Sequence, residues 1–430
     1  MYKKIDMRYR NAIWMALEKI ISIAGVFIVT AAMAKYIGPY YYGVLSLATT
    51  SFSMIYIISS MGVDPLVLKK GSYNARQGEM RSILMCIIRT TVFTVLSLLF
   101  IIWCWLDGKI HDRVEMGLFL AVMISQLLLS VDFIAIINNY MLRSKLNTIS
   151  NIAGLVTALV LRLVFVELKL HVLWFAIPLI ISPLIAVTIK YLTFSRINKM
   201  SSVFASMRAK KIKALVGTAV PFAVSSVAAN IYNKIPMMII ASVMGYAWSG
   251  IYACALIIAS TWSFMPTALI SSFIPRFYQI NNLKKNEDYI SLLVTMILLV
   301  CTTISVAIWL ISPYLIDILY GAKYRDAVSI VPIILASTTL GMCGSAVYHI
   351  LIKTKGYSFI MKKMVASAIL SVPLTWFMTI HYGIEGAVMS LLLIEILNLT
   401  VFNFMYKKTK VARILLNSLS PAQIKNLKNI

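Results

Sequence analysis

The chain has 430 residues, of which 60% are hydrophobic and 13% charged, and its mean hydropathy is +0.86. A protein whose whole surface faces water does not tolerate this balance, so the composition excludes an ordinary soluble domain. Forty Lys and Arg against 15 Asp and Glu give a net charge of +25. The excess by itself is compatible with nucleic-acid binding, but its distribution along the chain indicates a membrane protein.

Apolar runs long enough to cross a bilayer, about 20 residues each, recur throughout the chain. We predict an all-α integral membrane protein with about twelve transmembrane helices joined by short loops. The predicted spans are 12–34, 40–62, 82–106, 115–137, 148–167, 171–194, 213–240, 248–273, 289–311, 327–352, 359–380 and 384–406.

Most of the basic residues lie in the two termini and in every second loop, with Lys363 in one of these basic groups. This is the positive-inside pattern, so we predict that both termini are cytoplasmic (N-in/C-in). The basic N-terminus followed by "AMA" at residues 32–34 imitates a secretory signal peptide. Glu18 and Lys19 interrupt that apolar run, and further spans follow, so we interpret it as the first span. No nucleic-acid partner is expected.

The five Cys and four His are scattered, without a CxxC pair or the spacing of a metal site. The phosphate-binding GxxxxGK[ST] motif, the GxSxG motif and the HExxH motif are all missing from the sequence. We therefore expect no metal, no cofactor and no enzymatic activity. ATP hydrolysis within this chain is set aside for the same reason.

A short segment that contains two glycines occurs twice in the sequence. "YIGPYYYG" contains Gly38 and Gly43, and "VMGYAWSG" places Gly245 and Gly250 207 residues later. We predict two pseudo-symmetric six-helix lobes related by an axis along the membrane normal. The predicted boundaries are 1–195 for the first lobe, 196–212 for a cytoplasmic linker, 213–407 for the second lobe and 408–430 for a cytoplasmic tail. Between two such lobes a transporter places its cavity.

The tail has the pattern of an amphipathic helix. Val411, Ile414, Leu415 and Leu419 recur at helical spacing among basic residues, and Pro421 follows. This pattern predicts a helix that lies on the inner leaflet and ends near Pro421.

Charged side chains inside the spans are the candidate functional residues, because each costs about 2.5 to 3.5 kcal/mol near the bilayer centre. Lys190 lies near a cytoplasmic end and is expected to snorkel towards water. Arg89 is deeper and either snorkels or lines a cavity. The cations are Lys19, Arg89, Arg162, Lys190 and Lys234, and the anions are Glu18, Asp132 and Glu395.

The segment "AANIYNKIPMM" concentrates polar groups in one span. Asn230, Asn233 and Lys234 stand next to Pro236, which is able to kink the helix. Such a helix suits a polar or anionic ligand. The alternative is an internal ion pair between Lys234 and a carboxylate, either Glu395 or Asp132.

The adjacent residues Glu18 and Lys19 point about 100° apart on their helix, so one can reach a cavity while the other meets a neighbouring helix. The three in-span carboxylates, Glu18, Asp132 and Glu395, are the candidates for coupling to H⁺ or Na⁺.

Three segments resemble a known family: "YIGPYYYGVLSLATTSFSMIYIISSMGVDPLVLKK", "LIDILYGAKYRDAVSIVPIILAS" and "HYGIEGAVMSLLLIEILNL". They are similar to the first hairpin, the outer loop with the tenth span, and the last hairpin of Wzx-type polysaccharide (O-antigen repeat unit) flippases. These belong to the multidrug/oligosaccharidyl-lipid/polysaccharide exporter superfamily. The resemblance covers essentially the whole chain.

The resemblance implies a flippase in the bacterial inner membrane that moves undecaprenyl-diphosphate-linked oligosaccharide units from the cytoplasmic to the outer leaflet. Transport would proceed by alternating access through a cationic central cavity, for O-antigen or related polysaccharide synthesis. The implied partners are the lipid-linked oligosaccharide, bilayer lipids, and polysaccharide polymerase and chain-length proteins. The expected substrate-binding residues are Lys19, Arg89, Arg162, Lys234, Asn230 and Asn233.

Two other function classes are considered. An ion-coupled drug or metabolite antiporter of the same superfamily would be expected to have a more acidic or apolar cavity. A membrane-embedded glycan polymerase or ligase would be expected to carry a large outer loop, whereas the predicted outer loops here are short.

Overall fold

The structure is a computed structural model, described here for residues 2–62, 64–197, 209–280, 283–406 and 411–418. Within these ranges all regular structure is helical, as the composition and periodicity predict. Most of the predicted linker 196–212 lies outside the described residues, and so do Leu419 and Pro421 of the tail.

Residues 1–230 form one compact unit. Helix α1 packs against α3, α4 and α6, and α7 packs against α4 and α6. A short 3₁₀ turn, Val172–Phe175, leads into α7. The helices are α1 (Tyr2–Ser60), α2 (Asp64–Tyr73), α3 (Ala75–Leu106), α4 (Arg113–Val131), α5 (Ile134–Tyr140), α6 (Ser144–Glu167) and α7 (Ala176–Ile197).

Residues 231–430 form the second compact unit. The division falls within helix α8, Ala209–Val243, so this helix contributes residues to both units. In the second unit α12 packs against α9, α11 and α13, and α11 packs against α15. The remaining helices are α9 (Tyr246–Ser260), α10 (Phe264–Gln279), α11 (Leu283–Leu319), α12 (Ala327–Lys353), α13 (Tyr357–Leu399), α14 (Val401–Phe404) and α15 (Val411–Ser418).

Nine helical segments among the described residues are long and apolar enough to cross a membrane, with one shorter apolar helix at Val227–Val243. Two of the nine, Gly25–Ser60 and Tyr357–Phe404, each extend over parts of two predicted spans, and Gly25–Ser60 includes residues 25–34 of the first. A helix overlaps each predicted span, and the number of membrane crossings stays a prediction. The membrane orientation of the termini stays a prediction.

Glycines separate the members of both pairs. Gly38 interrupts α1 with φ 80° and ψ 168°, and Gly383 interrupts α13 with φ 59° and ψ −142°. These backbone regions are strained for residues that carry a Cβ atom. Gly38 lies between predicted spans 12–34 and 40–62, and Gly383 lies between 359–380 and 384–406. Each long helix is therefore two helices that meet at a glycine.

Two tyrosines secure the turn at Gly38 to other parts of the first unit. Tyr36 Oη donates to the Leu170 carbonyl at 2.9 Å, in the loop that follows α6. Tyr40 Oη donates to the carboxylate of Glu115 in the first turn of α4. The second oxygen of Glu115 accepts from the backbone N–H of His111 at 2.7 Å. Glu115 is only 1% exposed, so this carboxylate is a buried junction between α1 and α4.

The described part of the tail forms α15, and its apolar side packs on protein. Val411 and Ile414 are 1% and 0% exposed, and α15 lies against α11. Ser291 Oγ of α11 donates to the Ile414 carbonyl at 3.1 Å, and Thr295 Oγ1 donates to the Ser418 carbonyl at 2.8 Å. Residues 411–418 are helical, and Val411 and Ile414 are buried against α11. The placement of the tail on the inner leaflet stays a prediction.

Candidate functional site

Arg89 of α3 is buried, with 5% of its surface exposed. Its Nε donates to the Ser130 carbonyl at 3.0 Å and its Nη2 to the Asp132 carbonyl at 3.4 Å. The guanidinium also lies 5.4 Å from the ring centre of Tyr56. These carbonyls end α4, where unpaired acceptors carry partial negative charge. Arg89 therefore holds α3 to the end of α4.

Asp64, on α2 outside the candidate spans, is the carboxylate partner of Arg89 at 3.7 Å. Burial raises the pKa of the Asp64 carboxyl, and the Arg89 guanidinium opposes that rise. The Asp64 side chain is 44% exposed, so solvent screens the pair, which contributes about 1 kcal/mol or less. The α4 carbonyls are thus the principal partners of Arg89.

Lys190 of α7 and Asp132, the residue that caps the end of α4, form a buried ion pair. Lys190 Nζ lies 2.6 Å from Asp132 Oδ2, and the two side chains are 3% and 8% exposed. Asp132 Oδ1 accepts from the backbone N–H of Ala135 at 3.1 Å. The prediction that Lys190 snorkels towards water is therefore wrong. The prediction considered only how near Lys190 lies to the end of its own span. It therefore missed a carboxylate that is distant in sequence but adjacent in the fold.

Glu18 of α1 contacts α6 through both carboxylate oxygens. Thr148 Oγ1 donates to Oε2 at 2.9 Å, and Asn151 Nδ2 donates to Oε1 at 2.7 Å. Thr148 and Asn151 are three residues apart and so share one face of α6. The prediction that one of the two adjacent charges meets a neighbouring helix is confirmed for Glu18. The side chain of Lys19 lies outside the described residues.

Arg162 of α6 has hydrogen-bonding capacity that the described residues do not use. Its Nε is buried, and no acceptor in the described part of the chain bonds to it. None of the salt bridges among these residues involves Arg162. Tyr42 of α1 is close enough to interact with it electrostatically. A guanidinium presents its Nε and Nη donors as a fork that matches phosphate oxygens. Arg162 therefore keeps a buried donor of the kind that a phosphate oxygen accepts, and its role in substrate binding stays a prediction.

Asn230, Asn233 and Lys234 lie on α8, which stays helical through Pro236 as far as Val243. Asn233 is exposed, and Asn230 and Lys234 are partly exposed. Asn230 and Lys234 are four residues apart, so their side chains leave the same face of the helix. Their predicted role in ligand binding stays a prediction.

The second unit holds a buried polar cluster that the sequence analysis recognised only in part. Tyr232 Oη of α8 donates to Glu395 Oε1 of α13 at 3.1 Å, and Glu395 is 8% exposed. Lys363, also 8% exposed, donates to Asn403 Oδ1 at 2.8 Å and interacts electrostatically with Glu395. Sequence reasoning counted Lys363 among the cytoplasmic cations. Lys363 lies four residues inside predicted span 359–380, and this position was the sign in the sequence that its side chain is buried.

Metal coordination has no evident site in the described ranges, because no three of their His, Cys, Asp or Glu side chains are grouped to hold an ion. Among the described in-span charges, Arg89, Lys190, Asp132 and Glu18 have protein partners at hydrogen-bonding distance. Arg162 keeps a buried donor without a partner among the described residues. Glu395 accepts a hydrogen bond from Tyr232.

A family model described as polysaccharide biosynthesis protein matches residues 9–281 of the chain. The chain belongs to this family. The match begins in α1 and ends after α10, so it includes Arg162 and the polar segment of α8. No curated protein sequence matches the chain significantly.

Solved structures similar to this family member are membrane transporters and a flippase. The lipid II flippase MurJ in an inward closed conformation has a TM-score of 0.65 at 16% identity, covering 98% of this chain and 93% of MurJ. An inward-facing multidrug resistance MATE transporter of the MOP superfamily has a TM-score of 0.59 at 15% identity, with coverages of 93% and 94%. A point mutant of the Vibrio cholerae MATE transporter VcmN has a TM-score of 0.53 at 13% identity, with coverages of 98% and 97%. At these identities the likeness shows the fold.

Proposed function

We propose that the protein is a flippase for undecaprenyl-diphosphate-linked oligosaccharide repeat units. It moves them from the cytoplasmic to the outer leaflet of the bacterial inner membrane by alternating access, for synthesis of O-antigen or a related surface polysaccharide. Membership of the polysaccharide biosynthesis family supports the substrate class. The observation that carries the proposal is the guanidinium of Arg162, a cation inside a span with a buried donor that the described residues leave unused.

A diphosphate head group needs cations along its path because it carries negative charge into a medium of low dielectric constant. Arg162 supplies charge-assisted hydrogen bonds in the geometry that phosphate oxygens accept. Lys19, Lys234, Asn230 and Asn233 are proposed as further contacts. Arg89 is left out of this set, because the carbonyls that end α4 occupy its donors.

The membrane potential supplies a direction for this transport. An inside-negative potential favours outward movement of an anion by about 2.3 kcal/mol per charge per 100 mV. The lipid tail stays in the bilayer while the head group crosses, so the bilayer lipids are partners as well. Polysaccharide polymerase and chain-length proteins are the proposed consumers of the translocated unit.

The test measures on which side of the inner membrane the lipid-linked glycan lies. Cells with and without the gene are compared, in a strain that makes the matching polysaccharide. The expected result is that single, complete repeat units accumulate facing the cytoplasm when the gene is lost. Expression of the wild-type chain restores labelling from the outer side, and Arg162→Ala does not. Arg325→Ala is the matched control, because Arg325 is a surface cation whose side chain is 69% exposed.

A different outcome favours the antiporter. If the units reach the outer leaflet normally without the gene and only drug sensitivity changes, the flippase proposal is wrong. The MATE-like fold would then be the better guide to substrate.

A further inference from the structure

Three helices of the second unit bring aromatic side chains together at one end. Tyr278, in the last turn of α10, lies beside His349 of α12, with 6.1 Å between the ring centres and 80° between the ring planes. Tyr278 Oη and His349 Nδ1 are hydrogen-bonded at 3.2 Å. Tyr348 also lies 6.1 Å from the imidazole, at 77°. Tyr357, the first residue of α13, is close enough to Tyr278 and Tyr348 to interact electrostatically with both. These four residues are called the aromatic cluster.

The end of α10 that carries Tyr278 is anchored to its neighbours. Lys353 of α12 donates through Nζ to the carbonyls of Phe277 and Ile280, each at 2.6 Å. These carbonyls stand on either side of Tyr278 in the sequence. Asn286 of α11 donates to the Ile280 carbonyl at 3.1 Å, and its Oδ1 accepts from Lys353 at 3.1 Å. Because α11 and α12 both hold this turn, the Tyr278 ring is positioned before a ligand arrives.

The rings of the aromatic cluster remain accessible. Tyr278 and Tyr357 are each 40% exposed, and Tyr348 and His349 are partly exposed. An aromatic belt at the membrane interface explains single rings that anchor single helices. It does not require rings from three helices to gather around a histidine that is hydrogen-bonded to one of them. Sites for small polar ligands combine aromatic surfaces with a few converging polar groups, and the aromatic cluster has both.

A sugar ring is the ligand that this chemistry fits. The C–H groups of a sugar form an apolar face that packs on an aromatic ring, and its hydroxyls both donate to and accept from phenol and imidazole groups. The nearest described cation favours a neutral ligand over a phosphate. The three protons of the Lys353 ammonium are matched by three acceptors, two α10 carbonyls and Asn286 Oδ1. That ammonium therefore has no proton left for a phosphate oxygen.

The aromatic cluster lies at the end of the second unit that carries Arg276, Lys353 and Lys355, and the positive-inside pattern predicts that this end is cytoplasmic. A lipid-linked glycan is loaded from that side. We propose that the aromatic cluster binds a sugar of the lipid-linked oligosaccharide on the cytoplasmic side of the membrane. The diphosphate contact proposed for Arg162 concerns a different group of the same substrate. This inference rests on the proposed function, because that function supplies the glycan.

The test is binding of the free oligosaccharide, released by mild acid from the lipid-linked pool of the strain that makes the matching polysaccharide. Saturation-transfer NMR with the full chain in lipid nanodiscs measures the affinity and identifies the sugar protons that contact the protein. Tyr278→Ala and Tyr357→Ala should each weaken binding about two- to tenfold, through loss of one aromatic contact. Tyr357→Phe keeps the ring and should bind more tightly than Tyr357→Ala. Tyr314→Ala is the matched control, because Tyr314 lies on α11 of the same unit and is 72% exposed.

Two results would overturn the proposal. One is a wild-type chain that gives no transfer to the oligosaccharide, or that binds the hydrophobic cation tetraphenylphosphonium in its place. The other is equal affinity in the wild type, Tyr278→Ala and Tyr357→Ala. Size-exclusion profiles show which variants are folded. If Tyr278→Ala does not fold, Tyr357→Ala decides, because Tyr357 is an exposed residue at the start of its helix.

Binding of the free oligosaccharide is measured without transport, so the two proposals fail separately. If the aromatic cluster does not bind the oligosaccharide but the wild-type chain delivers repeat units to the outer leaflet, only the sugar site is wrong. If the cluster binds the oligosaccharide but loss of the gene leaves delivery unchanged, the sugar site stands and the flippase proposal is wrong.

Discussion

Gly38 and Gly245, 207 residues apart, have the same backbone conformation: φ and ψ are 80° and 168° at Gly38 and 92° and 175° at Gly245. Each glycine stands where one long helix ends and the next begins. This region of φ and ψ is essentially restricted to glycine. The repeated segment in the sequence therefore encodes the same sharp turn twice, once in each compact unit.

Substituting Ala at either turn should destabilise the protein through backbone strain. A Cβ atom added at Gly38 or Gly245 meets nothing within 4 Å, so steric contact adds no cost there. We expect Gly38→Ala and Gly245→Ala each to lower the free energy of unfolding by about 1 to 3 kcal/mol. Thermal unfolding of the purified variants, followed by loss of the monodisperse peak, measures the effect.

Gly344 supplies the control for these glycine substitutions. It lies inside α12, and an added Cβ there also meets nothing within 4 Å, but its backbone is helical. Gly344→Ala should leave the melting temperature unchanged or raise it, because alanine favours the helix by about 0.5 to 1 kcal/mol. Equal losses at Gly344 and Gly38 would contradict the strain argument.

Arg162 and Arg89 should respond differently to substitution. Arg162→Ala removes charge-assisted hydrogen bonds to the proposed substrate and should lower the rate of outer-leaflet delivery roughly ten- to a hundredfold, with normal amounts of folded protein. Arg162→Lys should recover only part of this rate, since lysine keeps the charge and loses the fork. Arg89→Met should instead reduce the yield of folded protein, because α4 loses the partner of its last carbonyls.

The rates are measured with the sidedness assay, normalised to the amount of monodisperse protein. Loss of folding in Arg162→Ala with full activity per folded molecule would show that Arg162 is a structural residue.

The ion pair between Asp132 and Lys190 should behave as a buried pair. Removing one partner leaves the other charge buried, so Asp132→Asn or Lys190→Met should each cost about 3 to 5 kcal/mol. Asparagine keeps the acceptor that Ala135 needs. The double variant leaves no buried charge and should be markedly more stable than either single variant, giving a coupling energy from a double-mutant cycle.

Arg325→Ala in the exposed Asp317 pair is the control, with less than about 1 kcal/mol expected. Additive effects at Asp132 and Lys190 would be incompatible with the pair.

Helix α15 should detach from α11 when its buried face is made polar. Ile414→Asp places a charge at a position that is 0% exposed, whereas Leu416→Asp changes a neighbour on α15 that is 69% exposed. The readout is maleimide labelling of a cysteine at Ser291, a residue of α11 that is 0% exposed beneath α15. Labelling should rise in the Ile414→Asp background and stay low with Leu416→Asp. Similar labelling in both backgrounds would mean that α15 does not cover α11.

The sequence by itself determined the membrane class and the helical architecture, and a helix lies at each predicted span. Long apolar runs in a bilayer favour helices. No water reaches the bilayer core, so every backbone N–H and C=O group must be hydrogen-bonded within the chain, and a helix does this. Even the two spans joined at Gly38 and the two joined at Gly383 were recognisable, since a glycine and short polar turns mark the breaks. The repeat at Gly38 and Gly245 was likewise recognisable in the sequence.

Only the tertiary structure decided which in-span charges are already partnered. Lys190 looked like a snorkelling residue because its own helix ends nearby, and only the fold brings Asp132 to within 2.6 Å of it. In the same way the spacing of Val411 and Ile414 predicts an apolar helix face, and only the fold shows that α11 covers it. Amphipathic spacing specifies that a face must be buried but not against what. Whether Arg162 Nε meets an acceptor depends on which groups on other helices approach it, and spacing along the chain does not encode that.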